Sequence, residues 1–252
     1  MGSTYVIGDV HGNTVNVFSI LHQINATDDN RIIFLGDVID RTSGSLSVLE
    51  TLMKMPNVHI LLGNHELMMK RAIETPRNIS QLNNWFYNGG KSTFLDYLSR
   101  PKQKQCEIVD FLNTLPGELE LTVNNTRFLL CHGAPRELMS RFPNQYDNPC
   151  EYGAWTRMRP EMIIPGKTIV FGHTPTAFYQ REMHIWYGSG MIGMDTGSGK
   201  GGHLAGLRLD DMKEFYSSLD NRFSFSKHMA GNTWVSTVSN NINFGGMLHD
   251  EN

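Results

Sequence analysis

The chain has 252 residues, a length that suits one large α/β domain. With 40% hydrophobic and 19% charged residues it has the composition of an ordinary globular protein, and its formal net charge of −3 excludes the basic surface of a nucleic-acid-binding protein. Three cysteines without a CxxC spacing argue against a disulfide framework and predict a reducing, cytoplasmic location. No apolar stretch is long enough for a transmembrane helix, so we expect no membrane partner.

Short apolar runs bounded by glycine or polar residues predict a series of strands along the chain. These runs cover residues 5–7, 31–35, 58–62, 128–131, 169–171, 191–194 and 204–209. Apolar residues at helical spacing follow Asn13 or Thr14, both plausible N-caps, and again follow Ser45, which predicts helices between the first three strands. The alternation of strand and helix through residue 75 is typical of βαβ units and favours an α/β fold.

The second half of the chain is organised differently. Residues 80–115 have a largely helical pattern, and we expect them to form a cap segment over the strand ends. From residue 211 onwards Asn, Ser and aromatic residues dominate, so we predict a single main domain over residues 1–210 and a C-terminal extension over residues 211–252. The alternation within this extension leaves three alternatives open: a β-hairpin, an arm that contacts a partner such as a second copy of the chain, or a loosely held tail.

Several of the apolar runs end in Asp, Asn or His beside a glycine, and these residues carry the chemistry. The carboxyl ends of strands meet at one edge of an open α/β sheet, so residues far apart in sequence are expected to converge there. The six candidate ligands are Asp9, His11, Asp37, Asn64, His132 and His173. Mixed imidazole and oxygen ligands suit Mn²⁺, Fe or Zn²⁺ better than Ca²⁺. Six ligands exceed the needs of one catalytic zinc, and they suit two ions about 3.5–4 Å apart that share one carboxylate.

The motifs stand in a fixed order: GDVHG at residues 8–12, GDVIDR at 36–41, GNHE at 63–66, and then two later histidines. This ordered set resembles the phosphoprotein phosphatase branch of the calcineurin-like metallophosphoesterases, over roughly residues 5–210. Within that branch, WFYNGG at residues 85–90 and WTR at 155–157 resemble the bacterial and phage lambda-type serine/threonine protein phosphatases. The resemblance implies two packed mixed β-sheets flanked by helices, within one catalytic domain.

The resemblance also implies how the metal ligands are divided. Asp9 and His11 bind a first divalent ion, Asn64, His132 and His173 bind a second, and Asp37 bridges the two. We expect Mn²⁺, with Fe or Zn²⁺ as alternatives. In this family a metal-activated hydroxide attacks the phosphate directly, without a covalent phosphoenzyme.

Four further residues acquire roles through the resemblance. His65, held by Asp40, is the general acid that protonates the leaving oxygen, and Arg41 and Arg157 hold the phosphate oxygens. After the Asp-Arg pair the family usually has Gly, whereas this chain has Thr42.

The resulting expectation is a metal-dependent phosphomonoesterase. Its substrates would be phosphoproteins, at serine or threonine with tyrosine left open, and small phosphomonoesters. One alternative is hydrolysis of diadenosine tetraphosphate: GNHE rather than GNHD favours the protein phosphatase, but TRMR at residues 156–159 also suits a polyphosphate chain. Another alternative is a non-catalytic scaffold, against which the complete set of ligands and the acid pair argue.

Overall fold

The computed structural model describes residues 2–217, 223–230 and 233–240, with only the backbone described in the last two ranges. The strands are β1 (Thr4–Ile7), β2 (Arg31–Phe34), β3 (Val58–Ile60), β4 (Glu118–Val123), β5 (Thr126–Cys131), β6 (Thr168–Pro175), β7 (Trp186–Gly188), β8 (Met191–Asp195), β9 (Ala205–Arg208), β10 (Lys213–Tyr216), β11 (Phe223–Ala230) and β12 (Thr233–Asn240). The helices are α1 (Thr14–Gln23), α2 (Ser45–Leu52), α3 (Asn64–Glu74), α4 (Ile79–Tyr87), α5 (Lys91–Ser99), α6 (Lys102–Thr114) and α7 (Pro149–Trp155).

Two five-stranded mixed sheets form the body of the molecule. The first has the order β10-β9-β1-β2-β3, with β1, β2 and β3 parallel and with β9 antiparallel to β1. The second has the order β4-β5-β6-β8-β7, with β5, β6 and β8 parallel and with β4 and β7 antiparallel at its edges. The predicted fold class, two mixed sheets flanked by helices, is confirmed.

The central strands are buried on both faces, which explains why they appear as continuous apolar runs. In β2, Ile32 and Phe34 pack against the helices, whereas Ile33 faces the second sheet, as expected for side chains that alternate along a strand. Leu130 of β5 and Val170 of β6 belong to the same inter-sheet cluster as Ile33. The outer face of the second sheet packs against α7 and the loops around it.

The helices between the first three strands begin near the predicted residues. The side chain of Asn13 accepts a hydrogen bond from the backbone N–H of Asn16 (3.1 Å), so Asn13 is the N-cap of α1. Helix α2 begins at Ser45, after Gly44, without a side-chain cap. The predicted helical segment over residues 80–115 is present as α4, α5 and α6.

The chain beyond the predicted boundary at residue 210 contributes to the first sheet, because β10 pairs with β9. Strands β11 and β12 form a separate antiparallel pair, which matches the hairpin among the three alternatives. Residues 218–222, 231–232 and 241–252 lie outside the described residues, and both the domain boundary and assembly through the extension stay predictions. Among the described helices, none is long and apolar enough to cross a membrane.

Candidate metal centre

Loops from both sheets converge on one region between them. Asp9 and His11 follow β1, Asp37 follows β2, Asn64 opens α3 directly after β3, His132 follows β5, and His173 lies within β6. Backbone bonds join these loops: the N–H groups of Val10 and His11 both donate to the carbonyl of Asp37, at 3.1 and 2.8 Å. All six predicted ligands are therefore brought into one neighbourhood, although their assignment as ligands stays a prediction.

The backbone at this region adopts a conformation that side-chain-bearing residues rarely use. Among the described residues, nine non-glycine residues have a positive φ, and five of them are predicted site residues. These are His11 (φ 52°), Asp37 (50°), Asp40 (74°), Arg41 (67°) and His173 (55°). At His173 the pairing of β6 with β8 is also interrupted by a register shift. Such strained positions cluster at functional sites, where the surrounding structure holds them in place.

Two groups of side chains have ligand atoms within 4.8 Å of one another. The first group contains His11, Asp37 and His65, and the second contains Asp37, His132 and His173. Asp37 belongs to both: its two oxygens lie 3.7 Å from His11 Nε2 and 3.2 Å from His132 Nε2. This shared position supports the bridging role predicted for Asp37.

The remaining predicted ligands lie beside the second group. Asn64 Oδ1 is 2.9 Å from His132 Nε2. The carboxylate of Asp9 accepts a hydrogen bond from the backbone N–H of His173 (3.0 Å to Oδ2), and Asp9 is a member of neither group. The resemblance implies that Asp9 binds the first ion together with His11, and this division of the ligands stays a prediction; in the structure the Asp9 carboxylate bonds to the backbone of β6, the strand that carries His173.

Hydrogen bonds fix which ring nitrogen is available in two of the predicted ligands, His132 and His173. His132 Nδ1 donates to the carbonyl of Leu35 at 2.9 Å, which leaves Nε2 to bind a metal. His173 Nε2 donates to the carbonyl of Trp155 at 3.1 Å, which leaves Nδ1. Both second partners are backbone carbonyls, the usual way in which a protein orients a metal-binding imidazole.

Burial and mutual repulsion shape the charges of the site. Burial lowers the pKa of His11 and His132, and lowers that of His173 to about 3, so these rings are neutral and can offer a lone pair. Burial, Asp195 and Asp37 together raise the pKa of Asp9 well above its ordinary value. For Asp37, burial acts to raise the pKa, but the four surrounding imidazoles outweigh it and hold the pKa well below the usual range.

The donor set fits divalent cations. Burial raises the pKa of Asp9 and of Asp195, and the negative charge of Asp37 raises both further, a repulsion that a bound cation would relieve. His11 Nδ1 is a buried polar atom without a hydrogen-bond partner in the described part of the chain. Neutral imidazoles beside ionised carboxylates are the ligands preferred by Mn²⁺, Fe and Zn²⁺.

The predicted acid pair shares His65 with the first group. His65 Nδ1 lies 2.7 Å from Asp40 Oδ2, and both side chains are fully buried. Burial lowers the pKa of His65, but the Asp37 charge and the Asp40 hydrogen bond outweigh it, so the pKa is raised above its ordinary value. Arg41 Nη2 lies 3.2 Å from His65 Nε2, so the guanidinium stands at the atom from which the acid would release its proton.

Arg157 is placed at the open side of the site. Its guanidinium lies over the Phe178 ring, 5.1 Å from the centroid, and within the described residues it makes no ion pair or hydrogen bond. Arg157 contributes to two clefts of about 450 and 400 Å³. It is close enough to His173 to contribute to the lowering of that residue's pKa, after burial and His132.

Glu66 has a structural role that was not assigned from the sequence. Its fully buried carboxylate accepts hydrogen bonds from four backbone N–H groups: Asp37 (2.8 Å), Val38 (2.8 Å), Ile39 (3.3 Å) and Gly63 (3.1 Å). Burial raises its pKa to about 7, whereas these donors favour the ionised form. The available signal was a Glu at the third position of a helix, where such a side chain folds back onto the helix start.

Two more contacts shape the loop that carries His11. Thr42, at the position where the family usually has Gly, donates from Oγ1 to the carbonyl of His11 and so ties the two motif loops together. Gly199 packs on the His11 ring so closely that an added Cβ would lie 2.4 Å from Cδ2. The Gly199 loop is itself held by Asp195, which accepts from the N–H of Gly197 at 3.0 Å.

A buried cluster of imidazoles and carboxylates lies between two mixed sheets with an Asp–His pair and an arginine beside it, an arrangement that suits metal-assisted hydrolysis of phosphate esters. The profile of the calcineurin-like phosphoesterases matches residues 2–193, and the chain belongs to that family. The resemblance seen in the motifs is thereby confirmed.

Relatives carry two kinds of names. The chain is 33% identical over 129 residues to serine/threonine-protein phosphatase 2 of Escherichia coli K12, a match that covers 51% of this chain and 56% of that protein. It is 25% identical to serine/threonine-protein phosphatase 2 of Salmonella typhimurium LT2, over 81% of this chain and 92% of that protein. It is also 26% identical to the symmetrical bis(5'-nucleosyl)-tetraphosphatase of Citrobacter koseri, over 91% of this chain and 99% of that protein.

Solved structures share the fold. A protein proposed to be a diadenosine tetraphosphatase superimposes with a TM-score of 0.60 at 17% identity, over 85% of this chain and 92% of that one. A protein serine/threonine phosphatase from Saccharomyces cerevisiae superimposes with a TM-score of 0.55 at 16% identity, over 85% and 78% of the two chains. At these identities the likeness concerns the fold alone.

Proposed function

We propose that this chain is a phosphomonoesterase that removes phosphate from serine and threonine side chains of proteins. The observation that carries the proposal is the buried His65–Asp40 pair beside the ligand cluster. A serine or threonine alkoxide is a poor leaving group that needs a proton as the P–O bond breaks, and a positioned imidazole can supply it. A nucleotide leaving from a phosphoanhydride has little need of that proton.

Residues of this chain divide the work as follows. Two divalent ions, for which we propose Mn²⁺, would neutralise phosphate charge and provide a nucleophile from water at neutral pH. Asp9 and His11 would hold the first ion, Asn64, His132 and His173 the second, and Asp37 would bridge them. A cytoplasmic location stays a prediction from the cysteine pattern.

Arg41 and His65 act in sequence. Arg41 Nη2 stands 3.2 Å from His65 Nε2 and can donate to this ring nitrogen only while it carries no proton. An incoming phosphate attracts the guanidinium, which can bind two phosphate oxygens at once. With Arg41 on the phosphate, His65 Nε2 is free to carry a proton, which Asp40 stabilises from the opposite side of the ring.

A second candidate function is hydrolysis of dinucleoside polyphosphates. The observation that favours it is the larger cleft, where exposed Phe178 and the stacked Tyr179–Trp186 pair lie beside Arg157 and Arg159. Aromatic faces stack on nucleobases, and arginines bind phosphate oxygens, so this cleft has the chemistry of a nucleotide site. The relatives named as tetraphosphatases support this candidate as strongly as the relatives named as protein phosphatases support the first.

A substrate panel separates the two candidates. Mn²⁺-loaded protein is offered a phosphoserine peptide, p-nitrophenyl phosphate and diadenosine tetraphosphate, and kcat/KM is measured for each. We expect the peptide and the aryl phosphate to be hydrolysed faster than the dinucleotide. The reverse preference would transfer the assignment to the second candidate, and a matched preparation of His65→Asn protein controls for contaminating phosphatases.

A further inference from the structure

Asp40 accepts two hydrogen bonds on the same oxygen. Oδ2 lies 2.7 Å from His65 Nδ1 and 2.8 Å from Trp85 Nε1. The other oxygen, Oδ1, is buried without a hydrogen-bond partner in the described residues. The indole N–H is a donor that does not titrate, so its partner must remain an acceptor.

Trp85 lies in the last turn of α4, directly before the corner between α4 and α5 that also holds the neighbouring arginine. The backbone N–H of Arg41 donates to the carbonyl of Gly89 at 3.1 Å. The corner is closed by the N–H of Gly90, which donates to the carbonyl of Trp85 at 2.9 Å. A Cβ at position 90 would lie 2.1 Å from Trp85 Nε1, so only glycine lets the polar edge of the indole pass this point.

The ring of Trp85 is fixed on its other sides by packing. The side chain is fully buried, with the rings of Phe86 and Phe94 at centroid distances of 6.3 and 6.0 Å. Close packing of this kind prevents a large aromatic ring from changing rotamer without moving its neighbours. The direction of the indole N–H is therefore set by the fold rather than by Asp40.

We propose that Trp85 is a positioning residue for the acid pair, an inference that rests on the proposed role of His65 as general acid. With only the His65 bond, the Asp40 carboxylate could rotate and exchange its two oxygens, since Oδ1 makes no bond that resists rotation. A second donor in a fixed direction holds the plane of the carboxylate. That plane in turn aims His65 Nε2 at the leaving oxygen.

The proposal predicts that removal of the Trp85 hydrogen bond lowers kcat by an amount that depends on the leaving group of the substrate. Loss of a hydrogen bond to a charged group that positions a catalytic residue is expected to lower kcat about 10- to 100-fold where proton transfer limits the reaction. Substrates with good leaving groups need less protonation and should lose less than about threefold. KM and metal content should not change, because Trp85 bonds to neither the phosphate arginine nor a ligand side chain.

The test replaces the N–H and leaves the ring. Incorporation of β-(3-benzothienyl)alanine at position 85 substitutes sulfur for the indole N–H at nearly the same shape, and Trp85→Phe is a second variant. Both are compared with Phe94→Leu, which loosens the packing of the indole and keeps its N–H. Kcat is measured for a phosphoserine peptide and for aryl phosphates of graded leaving-group pKa.

The expected result is a steeper dependence of kcat on leaving-group pKa in both Trp85 variants and an unchanged slope in Phe94→Leu. An equal loss on all substrates would overturn the proposal, because it would mean that Trp85 only supports the fold. A direct readout is the indole N–H resonance of Trp85, which should shift in Asp40→Asn protein; an unmoved resonance would also overturn it. Absence of a leaving-group effect in His65→Asn would instead contradict the proposed function.

Discussion

The two sheets contribute opposite kinds of surroundings to the site. On the side of the first sheet, Asp37, Asp40, His65 and Glu66 are buried and joined by hydrogen bonds to backbone and to one another. On the side of the second sheet, beyond its histidines, Phe178 is 68% exposed and lines an open cleft. The side of the first sheet is thus closed, with each side chain held by several contacts, and the side of the second sheet is open to solvent.

This difference separates chemistry from recognition. Residues that must hold charge and geometry to within a fraction of an ångström need a buried supporting shell, which the first sheet provides. Residues that meet the body of the substrate can vary without loss of the fold, and they lie on exposed loops. A division of this kind accords with the two kinds of names among the relatives of this chain, a protein phosphatase and a dinucleoside tetraphosphatase.

The largest effect is expected at the centre of the closed side. Asp37→Asn keeps the shape of the side chain, and Asn tolerates the left-handed backbone found there (φ 50°). It removes the charge shared by the two ligand groups, so we expect loss of one or both ions and a fall in activity of more than about 10⁴-fold. Elemental content and kcat/KM are measured together, with Asp110→Asn on the exposed face of α6 as the control. Full metal content in the Asp37 variant would contradict the bridging role.

The next effect separates acid catalysis from metal binding. His65 belongs to the first group of potential ligands and also bonds to Asp40, so the structure allows either role. If His65 is the general acid, His65→Asn should lower kcat for a phosphoserine peptide by about 10²–10⁴-fold, with less loss for p-nitrophenyl phosphate. Metal content should remain at the wild-type value. A variant that loses an ion would identify His65 as a ligand.

Much of the closed side was predictable from the sequence because its residues must be particular types at particular spacings. The strands before each motif are buried on both faces and so appear as apolar runs. Asn13 was one of two predicted caps, with Thr14 the other, because a capping side chain bonds within one helical turn; the structure selects Asn13. The predicted ligands converge because the parallel strands of each sheet end at one edge of that sheet, and loops from both sheets meet there.

The unpredicted parts depend on contacts between distant residues or on weak patterns. Trp85 and Asp40 are 45 positions apart, and no local pattern joins an indole to a carboxylate. Strands β4, β7 and β10 are edge strands with partly exposed residues, which gives them no continuous apolar signal. The open cleft is lined by residues between 157 and 186, and residues of these types are common in loops, so their sequence carries no specific signal of a binding site.

A smaller effect is expected at Glu66, whose carboxylate holds the backbone of the Asp37 loop on the closed side. Glu66→Gln puts an amide NH₂ among four backbone donors, so part of their bonding is lost and the charge that attracts them is removed. We expect the free energy of unfolding of the metal-free protein to fall by about 2–4 kcal/mol. Denaturant titration measures it, with Glu74→Gln at the exposed end of the same helix as the matched control. Equal stability of the two variants would mean that Glu66 does not hold the Asp37 loop.

The smallest effect is expected on the open side, where a single substitution tests whether the cleft binds a nucleobase. Phe178→Ala removes an exposed ring that lies under the Arg157 guanidinium and is not itself a predicted ligand. If the cleft binds a nucleobase, diadenosine tetraphosphate should inhibit p-nitrophenyl phosphate hydrolysis about 5- to 20-fold more weakly in this variant, since a stacked base contributes about 1–3 kcal/mol. Hydrolysis of p-nitrophenyl phosphate itself should stay within about twofold of wild type.

Leu98→Ala is the control: it removes another exposed apolar side chain, on α5, and should change neither the inhibition by diadenosine tetraphosphate nor the hydrolysis of p-nitrophenyl phosphate. An inhibition constant that does not move in Phe178→Ala would deprive the dinucleotide candidate of its structural support. The open side would then be a surface for the flanking residues of a phosphoprotein, where a single ring contributes little.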